Sequence, residues 1–444
     1  MTKIKILAQT ESGETDGYDY VLQFLDKDRR LNFGVASVIE QIKTAGGIIS
    51  DHGLDFLFLG LVVYFTDKHV SRNKNSQDSW TRELSLKVSV WDIELWNLSK
   101  QEIVLMLNFL TGDIWDIEFT RRTTNIEDII GLQNINMIER EVEVISLFSG
   151  GMDSLISTIN YLSNDKQMLL ISHASDPTTK SSQKKVLAKL TDFYGDGKLN
   201  QISLWTDFTS INPSEKEKTT RSRSFLFISL AVFTAQSFVD VKNIEIPENG
   251  LIALNIPLDS LRVGAYTTRT THPYYLSLWN KVLSDHNFHF MMNNSYWNKT
   301  KGEMGLECAN RELLAETLPL SNSCSSSSKA RYSHMSPDTH CGHCVPCIVR
   351  RAAVYKGFPN QNERTEYAHN IPGLLATNNK KGLQLRSFLY AINRIKEKPL
   401  ASKVLIHGTG SIKGESDYLL QLANVYSRGL LEIETFVNKF GEQQ

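Results

Sequence analysis

The amino-acid sequence predicts an α/β fold in which helices cover both faces of a mostly parallel β-sheet. From residue 142 onward, short apolar runs alternate with longer segments whose apolar residues recur at helical spacing. This alternation is typical of parallel strands joined by crossover helices. A second observation agrees, because the string Ser-Gly-Gly-Met-Asp-Ser at residues 149–154 directly follows the first apolar run. Ligands in such sheets bind beyond the carboxyl ends of the strands, so we expect a binding site there.

Hydrophobic periodicity predicts the individual elements of this sheet. Strands are predicted at residues 142–148, 167–172, 201–205, 251–256 and 288–292. Helices are predicted at residues 153–163, 180–194, 221–239 and 273–285.

The pattern divides the chain into three parts. An N-terminal mixed α/β module is predicted at residues 1–140, the central domain at residues 141–356, and a helical region at residues 357–444. Helices at residues 382–395 and 415–440 are predicted in the last part. The second of them has a broad apolar face, which fits core packing or the interface of a homo-oligomer.

Composition favours an ordinary globular protein. The chain has 444 residues, of which 41% are hydrophobic and 22% charged, with a formal net charge of −1. Such a balance creates no global field for nucleic acid or an anionic membrane, so neither is expected as a direct ligand. The N-terminus lacks the long apolar core of a secretory signal, and the apolar runs are too short to span a bilayer. We therefore expect a cytoplasmic protein.

The string at residues 149–154 has the composition of a phosphate-binding loop. Gly150 and Gly151 allow a sharp turn and a close approach of the backbone to a ligand. Ser149 and Ser154 add hydroxyl donors, and Asp153 is expected to cap the helix that follows. Free backbone N–H groups at a helix start bind anions. The string lacks the Gly-Lys-Ser/Thr ending of the Walker loop, which argues against an ordinary NTPase loop.

Basic residues in two further segments are candidates for binding the same anion. Arg221 and Arg223 stand at the start of an apolar helix, where a positive charge opposes the helix dipole unless an anion is present. Lys299 and Lys301 follow the last predicted strand. The alternative for both pairs is ordinary surface charge, at a frayed helix end and in a solvated loop.

Four cysteines have the spacing of a metal site: C-x16-C-x2-C-x2-C, formed by Cys324, Cys341, Cys344 and Cys347. Cysteines three positions apart on a tight turn can direct both sulfurs at one ion, and four sulfurs form a closed structural zinc site. An iron–sulfur cluster is the alternative for the Cys-x2-Cys-x2-Cys run. Cys308 lies outside this spacing and is expected to be an ordinary buried thiol.

These features together resemble the 7-cyano-7-deazaguanine synthases of queuosine biosynthesis, which are PP-loop ATP pyrophosphatases. The resemblance covers residues 142–356. The loop signature of the family is complete at residues 149–154, Arg223 matches an arginine at a helix start, and Lys301 and Glu303 match a Lys-x-Glu motif. The four clustered cysteines match the zinc ligands of the family.

The resemblance implies a fold, a reaction and a set of cofactors. It implies a PP-loop sheet that binds ATP with Mg2+ through Ser149, Gly150, Gly151, Asp153 and Ser154, and that binds Zn2+ through the four cysteines. Asp153, Arg223 and Lys301 would be catalytic. ATP would adenylate a 7-deazaguanine-type carboxylate, which an amine then attacks.

The layout of the whole chain is similar to that of the synthase-like components of Qat anti-phage defence operons. That similarity implies a partner protein from the same operon, whose amino terminus would be the amine in place of ammonia.

The chain also departs from the family. A Tyr-Gly-Gln-Arg-His motif after the second strand is replaced by residues 172–177, and a substrate-binding Asp-x-Arg-Pro motif aligns with residues 270–273, where the aspartate is missing or shifted. Two other functions therefore stay open. One is a nucleotide-binding scaffold without turnover, and the other is a different PP-loop reaction such as tRNA thiolation.

Overall fold

Two parallel β-sheets organise the chain. A computed structural model describes residues 3–10, 13–130, 142–174, 176–208, 211, 217, 221–259, 269–326, 336, 338–358 and 364–441. The strands are β1 Ile4–Gln9, β2 Tyr20–Gln23, β3 Glu83–Val90, β4 Ile114–Arg121, β5 Val144–Leu147, β6 Met168–His173, β7 Leu199–Leu204, β8 Asn243–Glu245 and β9 Met291–Asn293. The helices are α1 Val35–Thr44, α2 Asp51–His69, α3 Arg72–Asn75, α4 Ile93–Leu98, α5 Lys100–Thr111, α6 Ile126–Ile130, α7 Met152–Ser163, α8 Pro177–Tyr194, α9 Arg223–Gln236, α10 Gly250–Leu254, α11 Pro273–Asp285, α12 Lys301–Leu306, α13 Arg311–Thr317, α14 Val345–Gly357, α15 Ile371–Ala376, α16 Leu383–Glu397, α17 Ala401–Leu405 and α18 Ser416–Gly441.

The central sheet has the strand order β7-β6-β5-β8-β9, and all of its pairings are parallel. The chain therefore builds outward from β5 to one side through β6 and β7, and then returns to build the other side through β8 and β9. The order reverses between β5 and β8, and this reversal opens a crevice at the carboxyl ends of the two strands. The α/β prediction with parallel strands and flanking helices is confirmed.

One strand prediction is wrong. Residues 251–256 do not form a strand, because Gly250–Leu254 is helix α10, and β8 at Asn243–Glu245 is the fourth strand. The side chain of Asn249 accepts a hydrogen bond from the backbone N–H of Ile252 and so caps the helix. A short apolar run has no periodicity that separates a buried strand from a buried helix turn. The other predicted strands and helices of the sheet overlap observed ones.

The N-terminal sheet has the order β2-β1-β3-β4 and is also parallel throughout. Helix α2 covers it and is buried on nearly all sides, from Leu54 to Thr66. A helix that is apolar all round requires packing partners on every face. On the side away from this sheet, α2 packs against α9, which itself lies on the central sheet.

Small residues bring α2 and α9 into close contact. A Cβ atom built on Gly60 would lie 2.7 Å from the Cβ of Ser229 and 3.3 Å from the Cα of Leu226. The two sheets therefore share one continuous hydrophobic core, which runs from Ile4 to Met292. The boundary near residue 140 stays a prediction, but the parts on its two sides are packed together.

The C-terminal region forms a second hydrophobic core around α18. The predicted helices at residues 382–395 and 415–440 correspond to α16 and α18, and α18 packs against α10 and α14. No helix in the described part of the chain has the length and apolar character needed to cross a membrane.

Gly60→Ala tests the contact between α2 and α9. The new methyl group would overlap Ser229, so we expect the free energy of unfolding to fall by about 1–3 kcal/mol in urea denaturation. Gly408→Ala is the matched control, because a Cβ at Gly408 meets no atom within 4 Å. Equal stabilities of the two variants would contradict the close contact.

Candidate functional site

The loop at residues 149–154 makes a sharp turn at the carboxyl end of β5. Gly150 has a φ of +78°, and a Cβ there would lie 3.0 Å from the Cγ of Gln183. The Ser149 hydroxyl accepts a hydrogen bond from the N–H of Gly151 at 3.3 Å and lies 3.4 Å from the hydroxyl of Ser154. The loop is therefore a tight turn with two hydroxyl groups side by side.

Asp153 does not cap α7, so this expectation was wrong. The N-cap is Gly151, without a side-chain cap. The carboxylate of Asp153 turns toward other elements instead: Oδ2 accepts a hydrogen bond from Nδ2 of Asn249 at 2.8 Å, and Oδ1 lies 3.1 Å from Nζ of Lys301. A buried carboxylate needs such partners, and the ion pair with Lys301 offsets the loss of water.

A second carboxyl group, that of Glu248, lies beside this ion pair. Nδ2 of Asn249 also donates to Oε1 of Glu248 at 3.1 Å. Burial and the negative charge of Asp153 raise the pKa of Glu248 well above its ordinary value. Burial opposes the ionisation of Asp153, but the Lys301 ammonium and the hydrogen bond from Glu248 outweigh it, so the pKa of Asp153 is lowered. The surroundings therefore favour the ionised form of Asp153 and the protonated form of Glu248.

A cavity of about 530 Å³ opens between this loop and the start of α9, at the reversal of the strand order. The residues that carry its polar chemistry are Ser149, Ser154, Glu248, Arg221, Arg223 and Lys68. The structure therefore brings the loop and the two arginines, predicted separately from the sequence, to one cavity.

The arginines are held in place by neighbouring elements. Arg223 is the first residue of α9, and its Nη2 donates to the carbonyl oxygen of His173 at 2.9 Å. The backbone N–H groups of Arg221 and Ser222 donate to Oδ2 of Asp67 at 2.6 and 2.8 Å. Burial, with the positive charges of Arg223 and Lys68, lowers the pKa of His173 to about 3.

The structure places the two lysines of the second basic segment, Lys299 and Lys301, in different surroundings. Lys301 is 7% exposed and forms the ion pair with Asp153, at the edge of the site. Lys299 pairs with Glu307 on the surface, so its expected role beside a nucleotide has no support. Glu303 caps its own helix in a capping box with Thr300 and binds Arg428.

Sequence reasoning missed several residues of the cavity. Glu248 and Asn249 directly follow β8. The sequence does not indicate them as site residues, because it predicts the fourth strand at residues 251–256. With the strand at its observed position, they stand at its carboxyl end, where a site is expected. Tyr64 and Lys68 come from α2, in the N-terminal part of the chain. Their sequence carries no local signal, because they reach the cavity through the packing of α2 on α9.

The four predicted cysteines form one cluster. The sulfur atoms of Cys324, Cys341, Cys344 and Cys347 all lie within 4.8 Å of one another. The backbone N–H groups of Ser326 and Cys341 point at the sulfur of Cys324, and that of Cys344 at the sulfur of Cys341. N–H groups directed at sulfur stabilise the thiolates that a metal ion requires.

The spacing of the sulfur atoms fits a single ion. Four sulfurs at about 2.3 Å from one tetrahedral zinc ion would lie about 3.8 Å apart. The sulfurs of Cys341 and Cys347 are 3.9 Å apart. Thiolates bound to different irons of a cluster would be further apart, so the geometry is consistent with zinc. Cys308 is buried outside the cluster, as expected.

The segment before Cys324 connects the cysteine cluster with the glycine loop. The N–H of Asn322 donates to the carbonyl oxygen of Gly150 at 2.8 Å, and the hydroxyl of Ser323 accepts from the N–H of Met152 at 3.3 Å. Arg350, three residues after Cys347, is fully buried and donates to the hydroxyl of Ser321 at 2.8 Å. These hydrogen bonds join the segment that leads into the cysteine cluster to the glycine loop.

Comparison with known protein families, curated proteins and solved structures identifies no match to this chain.

Cys347→Ser tests the metal site. We expect the purified protein to contain about one zinc ion per chain by elemental analysis and the variant to lose it, because three sulfurs no longer close a tetrahedral site. Cys308→Ser is the matched control and should retain the ion. Iron and sulfide in place of zinc, or equal zinc in both variants, would contradict this assignment.

Glu248→Gln tests the raised pKa of Glu248. Because the pKa of Glu248 is raised on folding, the folded chain holds a proton that the unfolded chain releases, and stability falls as the pH rises through the folded pKa. The unfolding free energy of the wild type minus that of the variant should therefore decrease as the pH rises above 4.5, the ordinary pKa of a glutamate, by at most about 1.4 kcal/mol per pH unit. The exposed Glu94→Gln controls for the loss of one charge. A difference that rises with pH would contradict the assignment.

Proposed function

We propose that this chain is an ATP-dependent ligase, a PP-loop ATP pyrophosphatase of the 7-cyano-7-deazaguanine synthase type. It would adenylate a 7-deazaguanine-type carboxylate and transfer the acyl group to an amine. The observation that carries the proposal is the position of the glycine loop, at the strand-order reversal of a parallel sheet and in one cavity with Arg221 and Arg223. Open α/β sheets bind nucleotides at such a reversal, with the phosphates against the loop that follows the strand.

In the first step, a carboxylate oxygen of the substrate attacks the α-phosphorus of ATP. The bond from that phosphorus to the oxygen bridging it to the β-phosphorus breaks, and pyrophosphate leaves. The backbone of Gly150 and Gly151 and the hydroxyl groups of Ser149 and Ser154 would hold the departing pyrophosphate as its charge develops. The guanidinium group of Arg223 would offset charge at the α-phosphate.

In the second step, the amine nitrogen attacks the acyl carbon, and AMP leaves with the former carboxylate oxygen. The amine must lose a proton. The phosphate group of the departing AMP can accept that proton. Lys301, paired with Asp153 at the edge of the site, would offset part of the remaining charge. The acceptor would be ammonia or the amino terminus of a partner protein.

The cofactors of this reaction fit the residues present. Mg2+ prefers oxygen ligands and accompanies nucleotide phosphates, and the hydroxyl groups of Ser149 and Ser154 line the cavity as oxygen donors. Zn2+ would be held by the four cysteines in a structural role, since all four tetrahedral positions are then filled.

The cellular setting is part of the proposal. The resemblance to the synthase-like components of Qat operons supports a cytoplasmic role in bacterial anti-phage defence, with a partner protein from the same operon. A 7-deazaguanine conjugated to that partner would be the product.

Product analysis tests the proposal. With MgATP, 7-carboxy-7-deazaguanine and ammonia or a co-expressed neighbour protein, we expect AMP and pyrophosphate in equal amounts. Arg223→Met should lower kcat/KM for ATP about 100-fold, equivalent to about 2.7 kcal/mol of lost transition-state stabilisation. The exposed Arg121→Met is the matched control.

Two other outcomes would contradict the proposal. ADP and phosphate as products would indicate ordinary ATP hydrolysis, and ATP binding without turnover for any acceptor would favour the nucleotide-binding scaffold. Intact-mass analysis of the neighbour protein would separate conjugation from nitrile synthesis.

A further inference from the structure

We propose that helix α2 of the N-terminal region forms the binding site for the acid substrate, with Lys68 and Arg223 binding its carboxylate. This inference rests on the proposed function. It assigns a role to a part of the chain outside the resemblance to the synthase family.

Two residues of α2 line the cavity beside the arginines. Tyr64 and Lys68 are four positions apart, so they lie on one face of the helix, one turn from each other. The Nζ of Lys68 is 5.3 Å from the centre of the Tyr64 ring. The ring of His173 packs edge-on against the same tyrosine at 5.5 Å. The α2 side of the cavity is therefore a preformed surface with one cation and one aromatic ring.

The α2 side of the cavity adds a cation and aromatic surface to the donors of the glycine loop. The glycine loop already offers backbone and hydroxyl donors for pyrophosphate. Lys68 and Arg223 line the same cavity, so their positive charges face one small volume. Tyr64 and Phe227 add aromatic surface to the lining. Cations next to aromatic rings match a flat ring system that carries a carboxylate, such as a heteroaromatic acid.

The geometry also suits the reaction. Arg223 borders both the loop and the α2 side, since all of them line one cavity. A carboxylate between Lys68 and Arg223 would lie next to an α-phosphate that Arg223 also contacts, so an oxygen of the acid would face the phosphorus it attacks. The missing or shifted substrate-binding aspartate near residues 270–273 would then be replaced by residues from α2.

Asp67 makes this arrangement rigid. Its Oδ1 lies 2.9 Å from Arg72 and 2.8 Å from Arg82, and its Oδ2 accepts from the two N–H groups just before α9. The side chain of Asp67 is fully buried. Asp67 therefore fixes the start of α9, and with it Arg223, relative to the neighbouring Lys68 on α2. We assign it as a positioning residue.

Lys68→Met in the full-length protein tests the proposal. The measurement is acid-dependent exchange between ATP and pyrophosphate, with 7-carboxy-7-deazaguanine as the probe, together with ATP binding by calorimetry. We expect the KM for the acid to rise at least about tenfold, because a charged hydrogen bond is lost, and the Kd for ATP to stay within about twofold. Lys68→Arg should restore the affinity for the acid. Lys242→Met, an exposed lysine at the amino end of β8, is the matched control and should change neither value.

Each contrary result has a separate meaning. Weaker ATP binding with an unchanged KM for the acid would make Lys68 a phosphate ligand and overturn the inference. Unchanged values for both would also overturn it, while the proposed function would stand because pyrophosphate exchange continues. Failure of the wild type to exchange pyrophosphate with this acid would overturn both.

Discussion

Buried carboxylates from outside the central sheet hold the starts of two helices, those that begin at Arg223 and at Lys301. Asp67 on α2 accepts from the N–H groups that precede α9, where Arg223 stands. Glu432 on α18 accepts from the Thr300 hydroxyl at 2.6 Å and the N–H of Gly302 at 3.0 Å, on either side of Lys301. Charge-assisted hydrogen bonds at a helix start satisfy donors that the helix itself leaves open.

This arrangement explains why the flanking regions belong to the site. Removing either carboxylate would leave buried partners unpaired, which typically costs about 3–5 kcal/mol. The N-terminal part thus positions Arg223 in the cavity, and the C-terminal part positions Lys301 beside Asp153. The segment before Cys324 is bonded to the glycine loop through Asn322 and Ser323.

Prediction from sequence was accurate where the signal is local. The glycine loop, the cysteine cluster and most strands and helices of the central sheet were recognised, because each depends on spacing within about twenty residues. It failed at residues 250–254, where five residues are too few to show a period and the cap from Asn249 decided the helix. Because of that error, the fourth strand was predicted too late in the sequence, and Glu248 was not identified as a residue of the site. The cap expected from Asp153 failed for a related reason, because its partner Lys301 lies far along the chain.

The sequence by itself determined the α/β class, the glycine turn after β5 and the four cysteines that cluster, since these follow from residue types at fixed short spacings. Only the tertiary structure decided that α2 lines the cavity, that Glu248 lies beside Asp153, and that Asp67 and Glu432 hold the helix starts. These contacts join residues up to about 150 positions apart, and they form because Gly60 lets α2 approach α9 and the strand order reverses beside β5. No local pattern encodes such pairings, because they depend on the packing of complete elements.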